Sequence, residues 1–275
     1  MRPFKVIFTI WLREAKLASR ERARIIATVA QPLIYLAILG RGITAGMRLT
    51  NAGNIDYIKF MYPGVIGMSI LFTSIFSAIS IIWDREFGFL KEVLVAPVPR
   101  WAVAIGKSFG GATVAIIQVA ILVCIAPLLG ISLSVLIVAK MLLLGFLMSF
   151  AVTSLGIIVA SRMQSMQAFQ MVMNFLVMPL FFLSGAMFPM ATAPAWMKSL
   201  MMADPLTYGV DAIRNVVFSD TTIADAGEVA RPLVEVARQA GLIRWTLAFD
   251  ITLMALAALA LAAAGAWTFS KSQEA

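Results

Sequence analysis

Six stretches of this chain are apolar for long enough to cross a lipid bilayer, and that pattern limits the folds open to it more than any other feature. They lie near residues 25–39, 61–83, 103–129, 133–160, 168–188 and 244–269. A helix needs about 20 apolar residues to cross a hydrocarbon core about 30 Å thick. Inside lipid the backbone finds no water, so segments that satisfy their own N–H and C=O groups are expected. The first stretch is the weakest, being short and interrupted by Gln31 and Pro32. Composition agrees. The chain is 61% hydrophobic and 13% charged, whereas soluble domains are about one-quarter charged. A soluble chain of this size hides only about three-quarters of its surface. The expectation is an all-α, polytopic membrane protein with six transmembrane helices in one membrane domain over residues 25–269.

Charge placement sets the orientation. The net charge is +8, and seven of the 22 basic residues fall in the first 24 positions: Arg2, Lys5, Arg13, Lys16, Arg20, Arg22 and Arg24. Short cytoplasmic loops carry the excess of Lys and Arg. The N-terminal tail, the loop with Arg85, Lys91 and Arg100 (with Lys107 just beyond), Arg162 and Lys271 all fall on one side. The other side holds Arg41, Arg48, Lys59 and Lys140, plus a long loop diluted by acids. Both termini are therefore expected in the cytoplasm, with 270–275 a short tail, and the basic balance reads as topology rather than nucleic-acid binding. Phe4, Ile7, Phe8, Trp11 and Ala15 recur at helical spacing among Arg13, Lys16 and Arg20. Residues 1–24 thus read as an amphipathic helix on the cytoplasmic leaflet, not as a cleaved signal peptide.

The stretch after the fifth span is broken by Gly185, Pro189 and Pro194. Its remaining apolar pieces, 196–202 and 206–217, are each too short to cross. Region 189–217 is expected to dip into the outer leaflet as short helices covered by protein. Residues 218–243 read as an exterior loop with a small amphipathic helix carrying Val229, Leu233, Val236 and Ala237. Pro179 is expected to kink the fifth span.

Catalytic signatures are scarce. Gly106-Lys107-Ser108 imitates the end of a phosphate-binding loop, but the glycine required five residues earlier is Trp101. The chain has no histidine, and its one cysteine, Cys124, lies in an apolar run, so metal, disulfide and proton-shuttle chemistry find few carriers. No carboxylate is expected deep in a span. Lys140 and Asp250 sit near outer span ends. They either mark the interface by snorkelling or form an intramembrane ion pair joining spans four and six. Apolar span centres argue against an ion-coupled carrier or a channel and put the energy source on another polypeptide. Ten of 17 methionines lie between Met163 and Met202, with phenylalanines among them. Such flexible side chains suit either varied apolar guests or plain helix packing. Phe169, Met171, Phe175, Met178 and Phe182 are the candidate substrate-path residues.

Two segments resemble a known family. Glu86-Phe87-Gly88-Phe89-Leu90-Lys91-Glu92-Val93-Leu94-Val95-Ala96-Pro97-Val98-Pro99-Arg100, followed by Gly106-Lys107, is similar to the cytoplasmic signature of type-two ATP-binding-cassette exporter permeases, of the daunorubicin-resistance and nodulation-factor branch. Residues 181–189, leading into Pro194-Ala195-Trp196 and Asp204-Pro205-Leu206-Thr207-Tyr208-Gly209-Val210-Asp211-Ala212-Ile213-Arg214, resemble that family's re-entrant outer hairpin. The 219–241 insert departs from the family in being longer. The resemblance implies a permease in the cell (inner) membrane of a bacterium or archaeon, paired with a second permease copy and two cytoplasmic ATPase subunits that hold ATP and Mg. No cofactor is expected in this chain. Residues 84–100 would form a coupling helix seated on the ATPase through Glu86, Phe87, Gly88, Phe89, Leu90, Lys91, Glu92, Val93 and Pro97. Phe89 and Val93 would share its apolar face. The expected cargo is an amphiphile, a drug, lipid or lipid-linked glycan, passing near spans two and five. A non-transporting membrane assembly or sensor subunit is the alternative.

Overall fold

Backbone groups surrounded by lipid must pair within their own segment, and the chain meets that demand with helices. A computed structural model describes residues 3–20, 22–44, 57–89, 93, 95, 97–129, 131, 133–219, 222–223 and 231–272. Helix α1 (Pro3–Arg20) is followed by α2 (Arg22–Thr44), so the expected boundary at residue 24 falls inside a helix. Helix α3 (Tyr57–Ser77) continues through a turn into α4 (Ser80–Glu86). Then come α5 (Arg100–Ile125), α6 (Val135–Arg162), α7 (Met166–Leu183), the short α8 (Ala195–Ala203) and α9 (Pro205–Phe218), α10 (Leu233–Gln239) and α11 (Leu247–Ser272). Thr222–Ile223 pairs antiparallel with Arg231–Pro232.

Among the described residues, five helical stretches are long and apolar enough to cross a membrane: Ile58–Glu86, Arg100–Leu128, Val135–Arg162, Met166–Leu183 and Leu247–Ser272. The expected first span falls within α2, whose apolar run among the described residues is the shorter Thr28–Ile38. Helix α6 lies against α11, α5 and α3, and α9 is wedged against α11, α3 and α6. Phe60, Tyr62, Phe169, Phe218 and Phe269 fill the interior. Helix α3 is the most enclosed of the long helices, and α7 and α11 the least.

Pro32 shows how an interrupted helix survives there. Proline has no N–H, so the Thr28 carbonyl loses its donor within α2. The Gln118 amide of α5 donates to that carbonyl at 2.5 Å. The Thr73 hydroxyl of α3 in turn donates to the Gln118 side-chain oxygen. Three helices are thus tied by one buried polar junction.

The fifth span is shorter than expected. Helix α7 stops at Leu183, and Gly185 follows with φ of 71°, a left-handed conformation that glycine adopts freely. Asp204 caps α9 by accepting from the Leu206 N–H at 2.9 Å, with Pro205 in the first turn. Burial pushes the Asp204 carboxyl up to about 7, opposed by that backbone bond. Arg214, also buried, donates to the carbonyls of Leu242 and Gly185 at 3.1 and 3.0 Å, tying α9 to both flanking segments. Burial draws its guanidinium down to about 10, while Asp211 opposes the shift. Of the small helix expected in 218–243, Leu233 and Ala237 are buried in α10. Val229 lies outside the described residues.

Residues 84–100 do not form one helix. Helix α4 ends at Glu86, Phe87 turns, and Gly88 takes φ of 83°. Phe89, Val93 and Val95 are helical again, and Pro97–Pro99 are not. The left-handed glycine provides a stop signal inside what the sequence presented as a continuous amphipathic run.

Candidate coupling site and apolar groove

Helix α1 docks on α5 because two glycines let the backbones approach. A Cβ at Gly106 would lie 2.9 Å from the Ile10 Cβ, and one at Gly110 would lie 2.5 Å from the Glu14 Cβ. Val6, Ile10 and Glu14, spaced one turn apart, form the buried face of α1. Phe4 and Phe8, expected on its apolar face, are exposed, whereas Ile7, Trp11 and Ala15 are half-buried. The Trp11 indole donates to the Thr113 hydroxyl at 2.8 Å.

Burying Glu14 brings a charge into the bundle, and three others balance it. Lys107 Nζ lies 2.9 Å from Glu14 Oε1 and 2.6 Å from Asp84 Oδ2, and it donates to the Ser80 hydroxyl at 3.0 Å. Arg13 grips Asp84 with two bonds, Nη1 to Oδ2 at 3.0 Å and Nη2 to Oδ1 at 2.6 Å. Its Nη1 also donates to Glu14 Oε1 at 3.2 Å. Two cations and two anions thus form a neutral cluster joining α1, α4 and α5, with Lys107 almost wholly enclosed. The decoy triplet Gly106-Lys107-Ser108 is explained by packing: its glycine admits α1, its lysine serves this cluster, and its serine meets the Ser154 hydroxyl at 3.1 Å.

The same cluster holds the root of the turn after α4. Arg85 donates to the Met163 and Ser161 carbonyls at 2.7 and 3.3 Å, capping the C-terminus of α6. The Trp83 indole points at Met166 Sδ, 3.4 Å away. Beyond this root Glu86 and Pro97 are exposed, as are Phe87 at 81% and Val95 at 87%. Phe89 and Val93 are half-buried, and the Arg13 guanidinium lies 3.7 Å from the centre of the Phe89 ring. Phe87 and Val95 project furthest from the turn, while Phe89 and Val93 keep part of their surface open. Leu90, Lys91 and Glu92 lie outside the described residues.

At the opposite end of the bundle α2, α3 and α7 enclose an apolar groove of about 240 Å³. Tyr35, Met61, Met68, Phe72, Met178 and Phe182 are among its lining residues, with Gln31 supplying one polar group. Of the substrate-path candidates, Met178 and Phe182 line this groove, whereas Met171 and Phe175 are exposed on the outer side of α7. Phe169 is fully buried in the core and belongs to neither surface.

The intramembrane charges stay apart. Asp250 is fully buried and neither carboxylate oxygen has a hydrogen-bond partner. Lys140 is half-buried, and among the described residues no ion pair joins it to Asp250. The expected link between spans four and six is absent, and full burial also excludes snorkelling for Asp250.

Helices of membrane-crossing length, an anchored polar cluster at one end and an apolar groove toward the other define a multi-pass helical membrane protein. The family described as ABC-2 type transporter matches residues 5–218. The chain is 32% identical over 200 residues to the putative transport permease ycf38 of Cyanophora paradoxa, covering 71% of this chain and 68% of that one. It is 27% identical over 205 residues to Nodulation protein J of Rhizobium leguminosarum bv. trifolii, covering 73% and 76%. It is also 26% identical over 199 residues to the probable multidrug ABC transporter permease YbhR of Escherichia coli strain K12, covering 68% and 51%. The chain belongs to the ABC-2 type transporter family, and two of the relatives named here carry the name permease.

Proposed function

We propose that this chain is the membrane permease subunit of an ATP-binding-cassette exporter that moves an amphiphilic drug, lipid or lipid-linked glycan out of the cytoplasm or inner leaflet. ATP and Mg bind, and ATP is hydrolysed, on a separate subunit. Two permease copies and two ATPase subunits form the transporter in a bacterial or archaeal cell (inner) membrane. All six apolar stretches cross the bilayer and both termini face the cytoplasm.

The observation that carries this reading is the exposed turn beyond α4, whose root is clamped by Asp84, Arg85 and Arg13. A projecting apolar contact on a rigidly held base can pass a rigid-body movement of a docked subunit into α3 and α5. The groove between α2, α3 and α7 supports an apolar guest, because no charged residue lines it among the described residues. The name multidrug ABC transporter permease, carried by one relative, supports transport of drug-like compounds.

The test is ATP hydrolysis by the purified chain alone and by its complex with the ATP-binding-cassette subunit that copurifies. The chain alone is expected to be inactive and the complex active, with further stimulation by transported amphiphiles. Activity in the isolated chain contradicts the reading. Cysteines placed at Ser219 and at Ser272, with Cys124 replaced, test the orientation. An impermeant maleimide added to intact cells is expected to label the first and not the second.

A further inference from the structure

The groove between α2, α3 and α7 has a polar corner. A smaller void of about 20 Å³ adjoins it, and Gln31, Met68 and Phe72 line both spaces. Thr28, Ser69, Thr73 and Gln118 complete the polar wall of the void, beside Pro32. A space of that size admits about one water molecule. The void therefore lies at the polar junction that serves Pro32.

That junction leaves hydrogen-bonding capacity facing the void. The Ser69 hydroxyl donates to the Val65 carbonyl at 2.8 Å, and the Thr73 hydroxyl donates to the Gln118 side-chain oxygen. Each hydroxyl oxygen can still accept. Gln118 donates one N–H to the Thr28 carbonyl at 2.5 Å, and its amide carries a second. Gln31 differs from these three, which are all buried. It lies in the apolar run Thr28–Ile38 of α2 and is exposed. Among the described residues its amide has no hydrogen-bond partner. An unpaired amide facing hydrocarbon is costly, and polar side chains of membrane helices usually pair with a neighbouring group.

The two spaces suit the two parts of one guest. Tyr35, Phe72, Met178 and Phe182 offer aromatic and thioether surface to an apolar body. The void offers donors and acceptors to one small group at its end. Among the described residues no charge lines either space. A phosphate, carboxylate or ammonium group entering there would shed water without meeting a counter-charge. A hydroxyl or carbonyl loses far less and meets Gln31.

We propose that the groove selects uncharged amphiphiles bearing one hydroxyl- or carbonyl-sized polar group, and that Gln31 is the specificity-determining residue that binds this group. The proposal rests on the groove being the guest site. Within that reading it narrows the cargo to neutral lipophilic compounds, and it turns away phosphate-bearing lipids and cationic drugs.

The test is displacement of tritiated pyrenebutanol from the purified chain in lipid nanodiscs, read by scintillation proximity with empty nanodiscs subtracted. The competitors share one fused-ring body: pyrenebutanol, butylpyrene, pyrenebutyrate and pyrenebutylamine. On the native chain pyrenebutanol is expected to compete about fivefold to tenfold better than butylpyrene, which lacks only the hydroxyl. The two charged analogues are expected to compete least. Gln31→Leu is expected to bring pyrenebutanol down to the level of butylpyrene. Gln31→Glu is expected to raise pyrenebutylamine above pyrenebutanol, and it decides if Gln31→Leu does not elute as folded protein in size exclusion. Equal competition by pyrenebutanol and butylpyrene on the native chain, or better competition by a charged analogue, overturns the proposal without any variant. So does the native ranking retained in Gln31→Leu, and loss of the dimer in that variant would then assign the amide to a second copy of the chain. No saturable binding of pyrenebutanol also overturns it. The assay uses neither ATP nor an ATPase partner, so that failure is distinct from failure of the exporter reading, which the hydrolysis test decides.

Discussion

Arg13 of the first helix holds Asp84 at the end of α4 through two parallel hydrogen bonds of 3.0 and 2.6 Å. The bond joins residues 71 positions apart, and it connects the helix docked on α5 to the base of the projecting turn. Because Arg13 also covers the Phe89 ring, one side chain touches both the root of the turn and its inner face.

The first prediction concerns the stability of this cluster. Removing one partner of a buried ion pair leaves an uncompensated charge, which costs about 3–5 kcal/mol. Lys107→Ala should therefore be strongly destabilising in a thermal unfolding assay in detergent, and Lys140→Ala should not. The double substitution Lys107→Met with Glu14→Leu removes one charge of each sign and should recover part of the loss. Equal unfolding temperatures for Lys107→Ala and Lys140→Ala would show that the cluster contributes nothing to the fold.

The second concerns the junction at Pro32. Gln118→Leu removes the donor to the Thr28 carbonyl, and a lost interhelical hydrogen bond with an orphaned acceptor costs about 1–2 kcal/mol. Pro32→Ala returns an N–H to α2, so the pair of substitutions should be less destabilised than Gln118→Leu alone. A strictly additive double-mutant cycle in chemical unfolding would contradict this account.

The third separates groove from core. Phe169→Ala should cost about 3–5 kcal/mol and deplete folded protein, as emptying a core phenylalanine site does. Phe175→Ala, at a position 82% exposed, should leave the yield intact. Met178→Trp narrows the groove and should reduce efflux of a lipophilic dye while ATPase assembly is retained. Efflux by Met178→Trp at the native rate would mean that the guest travels elsewhere.

Much of the architecture was readable from apolar run length alone, because lipid leaves the backbone few alternatives to helix. Helix α9 was visible from Asp204-Pro205 and the apolar run behind them. The break at Gly88 was harder to see, since an apolar-charged pattern continues on both sides and only the backbone angle shows the stop. The cluster of Arg13, Glu14, Asp84 and Lys107 escaped notice because its members are spread over 94 positions and look individually like topology charges. Two signals were available: Glu14 continues the apolar row Val6, Ile10, and Lys107 is flanked by glycines that admit a neighbouring helix. The missing pair between Lys140 and Asp250 has the opposite cause, since nearness to the same membrane face does not fix side-chain contact.

The most direct test of the coupling account is a cross-link. Single cysteines at Phe87, Val95 and Trp196, each in a chain lacking Cys124, are purified with the ATP-binding-cassette subunit and treated with a short bifunctional maleimide. All three positions are exposed, but only the first two lie on the turn beyond α4. The account predicts covalent permease–ATPase product from Phe87→Cys and Val95→Cys and none from Trp196→Cys. Product from Trp196→Cys with none from the other two would contradict it.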